Sequence, residues 1–173
     1  IKTYLESFGK RLHQTGETYI DEDGKPQKTR KATSNKWFET QDQIAYFQDF
    51  EKEKIVYNDI CQKLTFSLVK ANVYFNNTAY FLSLDKKLIN YFLAILNSKI
   101  KDWYYRNLSV QLGEKAVRMF TIYVENIPIP KIPESDQQPL IQLVEQILDK
   151  KEREEDTTDL EAQIDQLVYE LYD

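Results

Sequence analysis

A single cysteine, Cys61, leaves this chain of 173 residues without any possible internal disulfide. A lone thiol among apolar neighbours is expected to be a buried small residue. The only histidine, His13, follows a basic pair and has no Cys or His at metal-ligand spacing, so it is expected to face solvent or cap a helix. Four glycines, Gly9, Gly16, Gly24 and Gly113, are too few and too scattered to build a phosphate-cradling loop. No apolar run reaches the ~18 residues that could span a bilayer, and no signal peptide opens the sequence, which begins at Ile1. A cytoplasmic location without a membrane partner is the expectation.

What is present is a chain with 42% hydrophobic residues, enough for one good core and a small appendage. The net charge is −5, and it is unevenly spread. Residues 1–131 hold 20 Lys+Arg against 15 Asp+Glu, a net of +5, whereas residues 132–173 hold 3 against 13, a net of −10. A phosphate field is felt over a Debye length of about 10 Å at roughly 0.1 M salt, so an acidic tail does not disqualify the basic body from meeting a polyanion. The tail alone reads as a solvated helical face.

Hydrophobic spacing divides the chain into four parts. Tyr4, Leu5, Phe8 and Leu12 recur at helical spacing, Asp21 to Pro26 has turn composition, and the basic run Lys25–Lys36 reads as a mobile loop. From Trp37 to about Leu84 the pattern is mostly strand: Lys54-Ile55-Val56-Tyr57, then Leu64 to Val69, then Val73-Tyr74-Phe75 and Ala79 to Leu82 around an Asn76-Asn77 hairpin turn. Trp37, Tyr46 and Tyr74 are expected in the core or half-buried on the sheet. Lys86 begins a helix with Leu88, Tyr91, Phe92, Ile95 and Leu96 on one face and Asn97-Ser98-Lys99 near its midpoint. A loop around Gly113 leads to a strand from Met119 to Glu125, which gives way to Ile127-Pro128-Ile129-Pro130. In the tail, Leu140, Ile141, Val144, Ile147 and Leu148 form one apolar stripe and Leu160, Ile164, Leu167, Val168 and Leu171 another. Neither stripe can be buried by its own helix, so the two must pack on each other, on the body or on a partner helix.

Four pieces in this order carry a resemblance: Lys54-Ile55-Val56-Tyr57, Val73 to Thr78, Leu93-Ala94-Ile95-Leu96-Asn97-Ser98-Lys99, and Glu125-Asn126-Ile127-Pro128-Ile129-Pro130. The chain resembles the TaqI-like C-terminal specificity domain, the target recognition module of bacterial restriction-modification enzymes. The resemblance covers Trp37 to Pro130 and continues into Leu160-Glu161-Ala162-Gln163-Ile164-Asp165 and Leu167 to Tyr172. It implies a target recognition domain over residues 1–131 followed by a helical segment over residues 132–173. The expected architecture is α+β: a small twisted, mostly antiparallel sheet on a central helix, with a C-terminal helical pair. The implied partners are double-stranded DNA and the methyltransferase or nuclease domains of the same polypeptide or complex. S-adenosylmethionine and magnesium would belong to those domains, and this fragment would need no cofactor. Helix-mediated self-association is a further expectation for the tail.

DNA reading needs cations for phosphates and paired donors for base edges. Two regions offer both: Lys25, Lys28, Arg30, Lys31 and Lys36 in the first basic run, and Arg106, Asn107, Gln111, Lys115 and Arg118 around Gly113. Catalysis by this chain is not expected. The aromatic-capped Asn/Asp-Pro-Pro segment of base methylation is missing, and the acidic-x-Lys triplets at Asp23, Asp85 and Asp149 fall on turns or helix ends. The alternative reading is a protein-interaction module that acts through the acidic helices; a metal-dependent nuclease is the remote third.

Overall fold

The computed structural model describes residues 1–42, 45–113 and 115–172. The chain forms two compact units, Ile1–Ala45 and Tyr46–Asp173.

In the first unit, helix α1 (Lys2–Glu6) stops early, because Gly9 takes a left-handed φ of 51° and the chain tightens into a 3-10 turn, Gly9–Leu12. The longer amphipathic helix expected from Tyr4 to Leu12 is therefore broken. Strands β1 (Thr18–Ile20) and β2 (Pro26–Lys28) pair antiparallel, with Ile20 opposite Pro26. The turn between them follows its chemistry. The Asp21 carboxylate accepts the Lys25 N–H at 2.8 Å and the Asp23 N–H at 3.1 Å, while Gly24 supplies a φ of 77°. Pairing continues past the strands, since Thr29 donates to the Glu17 carbonyl and Gly16 to that of Arg30, both at 2.9 Å. The basic run expected as a mobile loop is thus one arm of a hydrogen-bonded ribbon as far as Arg30.

The second unit is α+β. In chain order it contains β3 (Lys54–Asn58), β4 (Ile60–Cys61), β5 (Ser67–Val69), β6 (Ala79–Leu82), α2 (Lys86–Leu96), α3 (Lys99–Leu108), β7 (Gln111–Leu112), β8 (Ala116–Arg118), α4 (Thr121–Val124), α5 (Glu134–Glu152) and α6 (Thr158–Glu170). Two small antiparallel sheets result, ordered β5-β3-β6 and β4-β8-β7. Strand β3 is central to the first, and its Ile55 and Tyr57 enter the core with Leu64, Phe66 and the buried face of α2. Both edges of β3 are taken by β5 and β6, and Val73-Tyr74-Phe75 pairs with neither of those outer strands. It runs as coil after Asn72, which takes a φ of 62° and donates to the Phe50 carbonyl at 2.8 Å. The expected hairpin turn at Asn76-Asn77 is instead a side-chain turn, in which Asn76 Oδ1 accepts from the Thr78 N–H and hydroxyl at 3.1 and 2.6 Å.

Two further expectations are corrected. The helix begun at Lys86 ends at Asn97, whose carboxamide pairs with the backbone of Phe66 as a neighbouring strand would. Oδ1 accepts the Phe66 N–H at 2.9 Å, and Nδ2 donates to the Phe66 carbonyl at 2.9 Å and to that of Leu93 at 3.0 Å. Ser98 then adopts an extended backbone, and α3 starts as a separate helix. The segment Met119–Glu125 is not a strand either. Its ladder ends where the Met119 N–H donates to the Asp59 carbonyl at 2.7 Å, because β4 offers no longer edge. Helix α4 follows and buries Val124, with tertiary packing overriding the β-branched composition of Thr121 and Ile122.

Both apolar stripes of the tail enter this core. Leu140, Leu143 and Val144 of α5 and Ile164 and Val168 of α6 are buried, with α5 packed on α2 and on α6. The boundary expected after residue 131 therefore crosses one continuous core, and the break in compactness lies between Ala45 and Tyr46.

Candidate nucleic-acid interface

The ten basic and polar residues singled out in the sequence divide between the two units, five in each. In the first, Lys25 and Lys28 stand exposed at the turn and on β2 of the ribbon. Lys31 is exposed and reaches Asp42 at 3.4 Å. Lys36 is exposed, with its ammonium 5.8 Å from the Phe38 ring. Arg30 differs. Its guanidinium donates to the Glu39 carbonyl at 2.8 Å and to the Trp37 carbonyl at 3.4 Å, so it closes the unit on itself. Gln14, buried, assists by donating to the carbonyls of Lys36 and Glu39, both at 2.9 Å.

In the second unit, α3 and the β4-β8-β7 sheet carry the other five. Arg106 is engaged on every side: Nε donates to Asp102 Oδ2 at 2.8 Å, one terminal nitrogen to the Lys115 carbonyl at 3.4 Å and the other to the Gln62 carbonyl. Asp102 is shared, because its Oδ1 accepts the Leu64 N–H at 2.7 Å. Asn107 is exposed and caps its own helix by donating to the Trp103 carbonyl. Gln111 lies on β7 with its amide 3.4 Å from the Arg106 carbonyl, and Lys115 is exposed in the β7–β8 turn.

Arg118 is held without being hidden. Nη2 donates to Asp59 Oδ2 at 3.2 Å, the guanidinium lies 5.2 Å from the Phe120 ring centre, and the side chain remains 44% exposed. Its backbone is fixed as well, since the Arg118 carbonyl accepts from the buried Tyr105 hydroxyl at 3.0 Å and from Ser109 at 2.6 Å.

The two units share one motif. Each presents an antiparallel hairpin turned at a glycine with positive φ (Gly24 at 77°, Gly113 at 66°), with exposed cations on it; β1–β2 stands as a two-stranded ribbon, whereas β7–β8 belongs to the three-stranded β4-β8-β7 sheet. The β1–β2 ribbon, two strands wide, is narrow enough for the major groove of B-DNA.

A family model for the TaqI-like C-terminal specificity domain matches residues 10–129. The chain belongs to that family. The match runs through both units and ends before α5 begins at Glu134. No curated protein matches the chain.

Other side chains of this TaqI-like specificity domain fall where they serve the fold. His13 is exposed, and Cys61 is half-buried, with its thiol pushed up by burial and then by the Asp102 charge. Trp37 is half-buried, whereas Tyr46 and Tyr74 are more exposed than expected, at 55% and 54%. The reason is that Phe50 occupies the interior of their cluster, with Tyr74 stacked on it at 5.1 Å and Tyr46 at 6.1 Å. Lys54 is fully buried, and its ammonium donates to the carbonyls of Phe50 and Lys52 at 2.9 and 2.8 Å, which fixes the chain beneath that cluster. The acidic-x-Lys triplets lie in the β1–β2 turn, at the N-cap of α2 and in the last turn of α5. Among the described residues no group of three His, Cys, Asp or Glu is arranged to hold a metal ion, and no helix is long and apolar enough to cross a membrane.

Sequence reasoning missed Asp59, Phe120 and Ile60 as neighbours of Arg118. Asp59 and Arg118 meet only through the pairing of β4 with β8, which no local spacing announces.

Proposed function

We propose that this TaqI-like specificity domain reads a sequence on duplex DNA for a bacterial restriction-modification enzyme in the cytoplasm. Methyl transfer and cleavage, with their S-adenosylmethionine and magnesium, are the work of other domains of the same polypeptide or complex. The observation that carries the reading is the pair of glycine-turned hairpins with exposed cations, Lys25 and Lys28 on one and Lys115 and Arg118 on the other. Exposed lysines neutralise phosphates, whereas an arginine fixed at the guanidinium is suited to a base edge. The rival reading, a helix-docking module, is less well supported because the stripes of α5 and α6 are spent inside the core.

A salt series with the full chain and a randomised 30-base-pair duplex pool tests the proposal. Binding that falls steeply with salt, together with enrichment of a defined sequence, is expected. Salt-independent binding, or a pool unchanged after repeated selection, would overturn it.

A further inference from the structure

The outer face of the β4-β8-β7 sheet has a composition that phosphate binding does not require. Arg118 is opposite Ile60 across one ladder, and its N–H donates to the Val110 carbonyl at 3.2 Å across the other. Cross-strand neighbours share a face, so Arg118 stands in a row with Ile60 (51% exposed) and Val110 (48% exposed). Phe120 (38% exposed) lies against the guanidinium. A cation set between exposed aliphatic side chains is poorly placed to track a sugar-phosphate backbone. It matches a base-pair edge in the major groove, where polar acceptors lie beside carbon, including the thymine methyl.

The guanidinium is also prearranged. Asp59 takes one hydrogen of Nη2, the Phe120 ring lies against the group, and Tyr105 and Ser109 fix the carbonyl of the same residue. Each terminal nitrogen of arginine carries two hydrogens, so Nη2 keeps one beside those of Nη1. One donor from each terminal nitrogen matches O6 and N7 of guanine, and no other base presents two acceptors on that edge. Asp59 thereby limits the rotamers of a long side chain before DNA arrives, so less freedom is lost on binding.

The geometry points to Arg118 as the reader of one guanine in the target, with Asp59 as its positioning residue. This inference rests on the DNA-recognition reading and deepens it by naming a base.

The experiment uses the full chain and the duplex it enriches from the random pool. Each guanine is replaced in turn by 7-deazaguanine, which lacks the N7 acceptor, and binding is compared for the wild type, R118A and D59N. One guanine should be sensitive in the wild type, losing about 5- to 150-fold in affinity, the range that one bidentate pair supplies. R118A and D59N should lose the preference for that base pair, and 7-deazaguanine there should cost them little more. Their affinity for random duplex should stay within about 3-fold of wild type for D59N, because a positioning role leaves the phosphate contacts intact. A purely structural Asp59 would instead lower the melting temperature and both affinities together, which would overturn its assignment. Full retention of the wild-type preference in R118A and D59N, or no guanine sensitive to 7-deaza substitution, would overturn the inference while leaving DNA recognition in place. Absence of any enriched sequence with the wild type would overturn both.

Discussion

Asp102 and Arg106, one helical turn apart on α3, form an ion pair at 2.8 Å that joins two further segments, one through the Gln62 carbonyl and the Leu64 N–H and the other through the Lys115 carbonyl. Both side chains are about a quarter exposed, so the pair is partly sheltered from the screening that makes surface ion pairs weak. Arg106 therefore supports the β7–β8 turn, with each guanidinium nitrogen already engaged in a hydrogen bond. R106A leaves the Gln62 carbonyl and one Asp102 oxygen without their donor, and about 2 kcal/mol of stability should be lost. Chemical denaturation measures this. A loss below about 0.5 kcal/mol would show the clamp to be incidental.

A second clamp, the Asn97 carboxamide on the backbone of Phe66, should matter more because it serves three backbone groups at once. N97A strands the Phe66 N–H and carbonyl against α2 and should cost about 2–4 kcal/mol, while N97D should recover only the N–H bond. Matching denaturation midpoints for the two variants would contradict this account.

These two clamps mark where sequence reading stops. The helical stripes Leu140 to Leu148 and Leu160 to Leu171 are legible because each helix repeats its apolar positions locally; Leu140, Val144, Ile164 and Val168 are buried and the other stripe residues pack against the core. The break at Asn97 is less so, since its partner Phe66 lies 31 residues away. The β4–β8 pairing that brings Asp59 to Arg118 leaves no periodic trace, because two- and three-residue strands are too short to alternate. The candidate site shows the same limit. Spacing identifies Arg30, Arg106 and Arg118 as cations alike, and only the fold shows that Arg30 and Arg106 spend their donors on carbonyls.

The acidic tail bears directly on truncation. Removing residues 133–173 would uncover the core face of α2, which packs on α5 and α6. Such a chain should show no cooperative thermal transition. Charge reversal on the surface is the better probe of the tail: E154K/E155K should leave the transition within a few degrees of wild type and strengthen DNA binding at low salt. A cooperative melt from the truncated chain would show that the tail is a separable appendage.

Lys101 gives the protein an alkaline signature. It is 2% exposed, forms no ion pair among the described residues, and faces the Tyr172 ring at 3.9 Å and the Tyr104 ring at 5.5 Å. Burial pushes its pKa down to about 8, against about 10.4 in the unfolded chain. Between those values the unfolded state holds more protons, so stability should rise with pH from 8 to about 10. Beyond about 10 the trend should reverse, because burial raises the pKa values of Tyr57, Tyr91, Tyr105 and Tyr172 and the unfolded tyrosines ionise first. Burial also lowers the Lys54 pKa, so K101M should shrink the rise without abolishing it. Urea midpoints at pH 7, 8, 9 and 10 decide the matter; an equal rise in wild type and K101M would remove Lys101 as its source.

The ribbon of the first unit should contribute affinity without selectivity. Lys25 and Lys28 are exposed and without an ion pair among the described residues, whereas Lys31 reaches Asp42. K25A and K28A should each weaken binding about equally on every duplex and lower the slope of log K against log salt by roughly one unit. K31A should do less, because part of its charge is already offset by Asp42. The contrast with Arg118 is the informative result: losses at the ribbon should be the same for selected and random DNA, and those at Arg118 should not. A shift in the enriched sequence with K25A or K28A would mean that the ribbon reads bases as well.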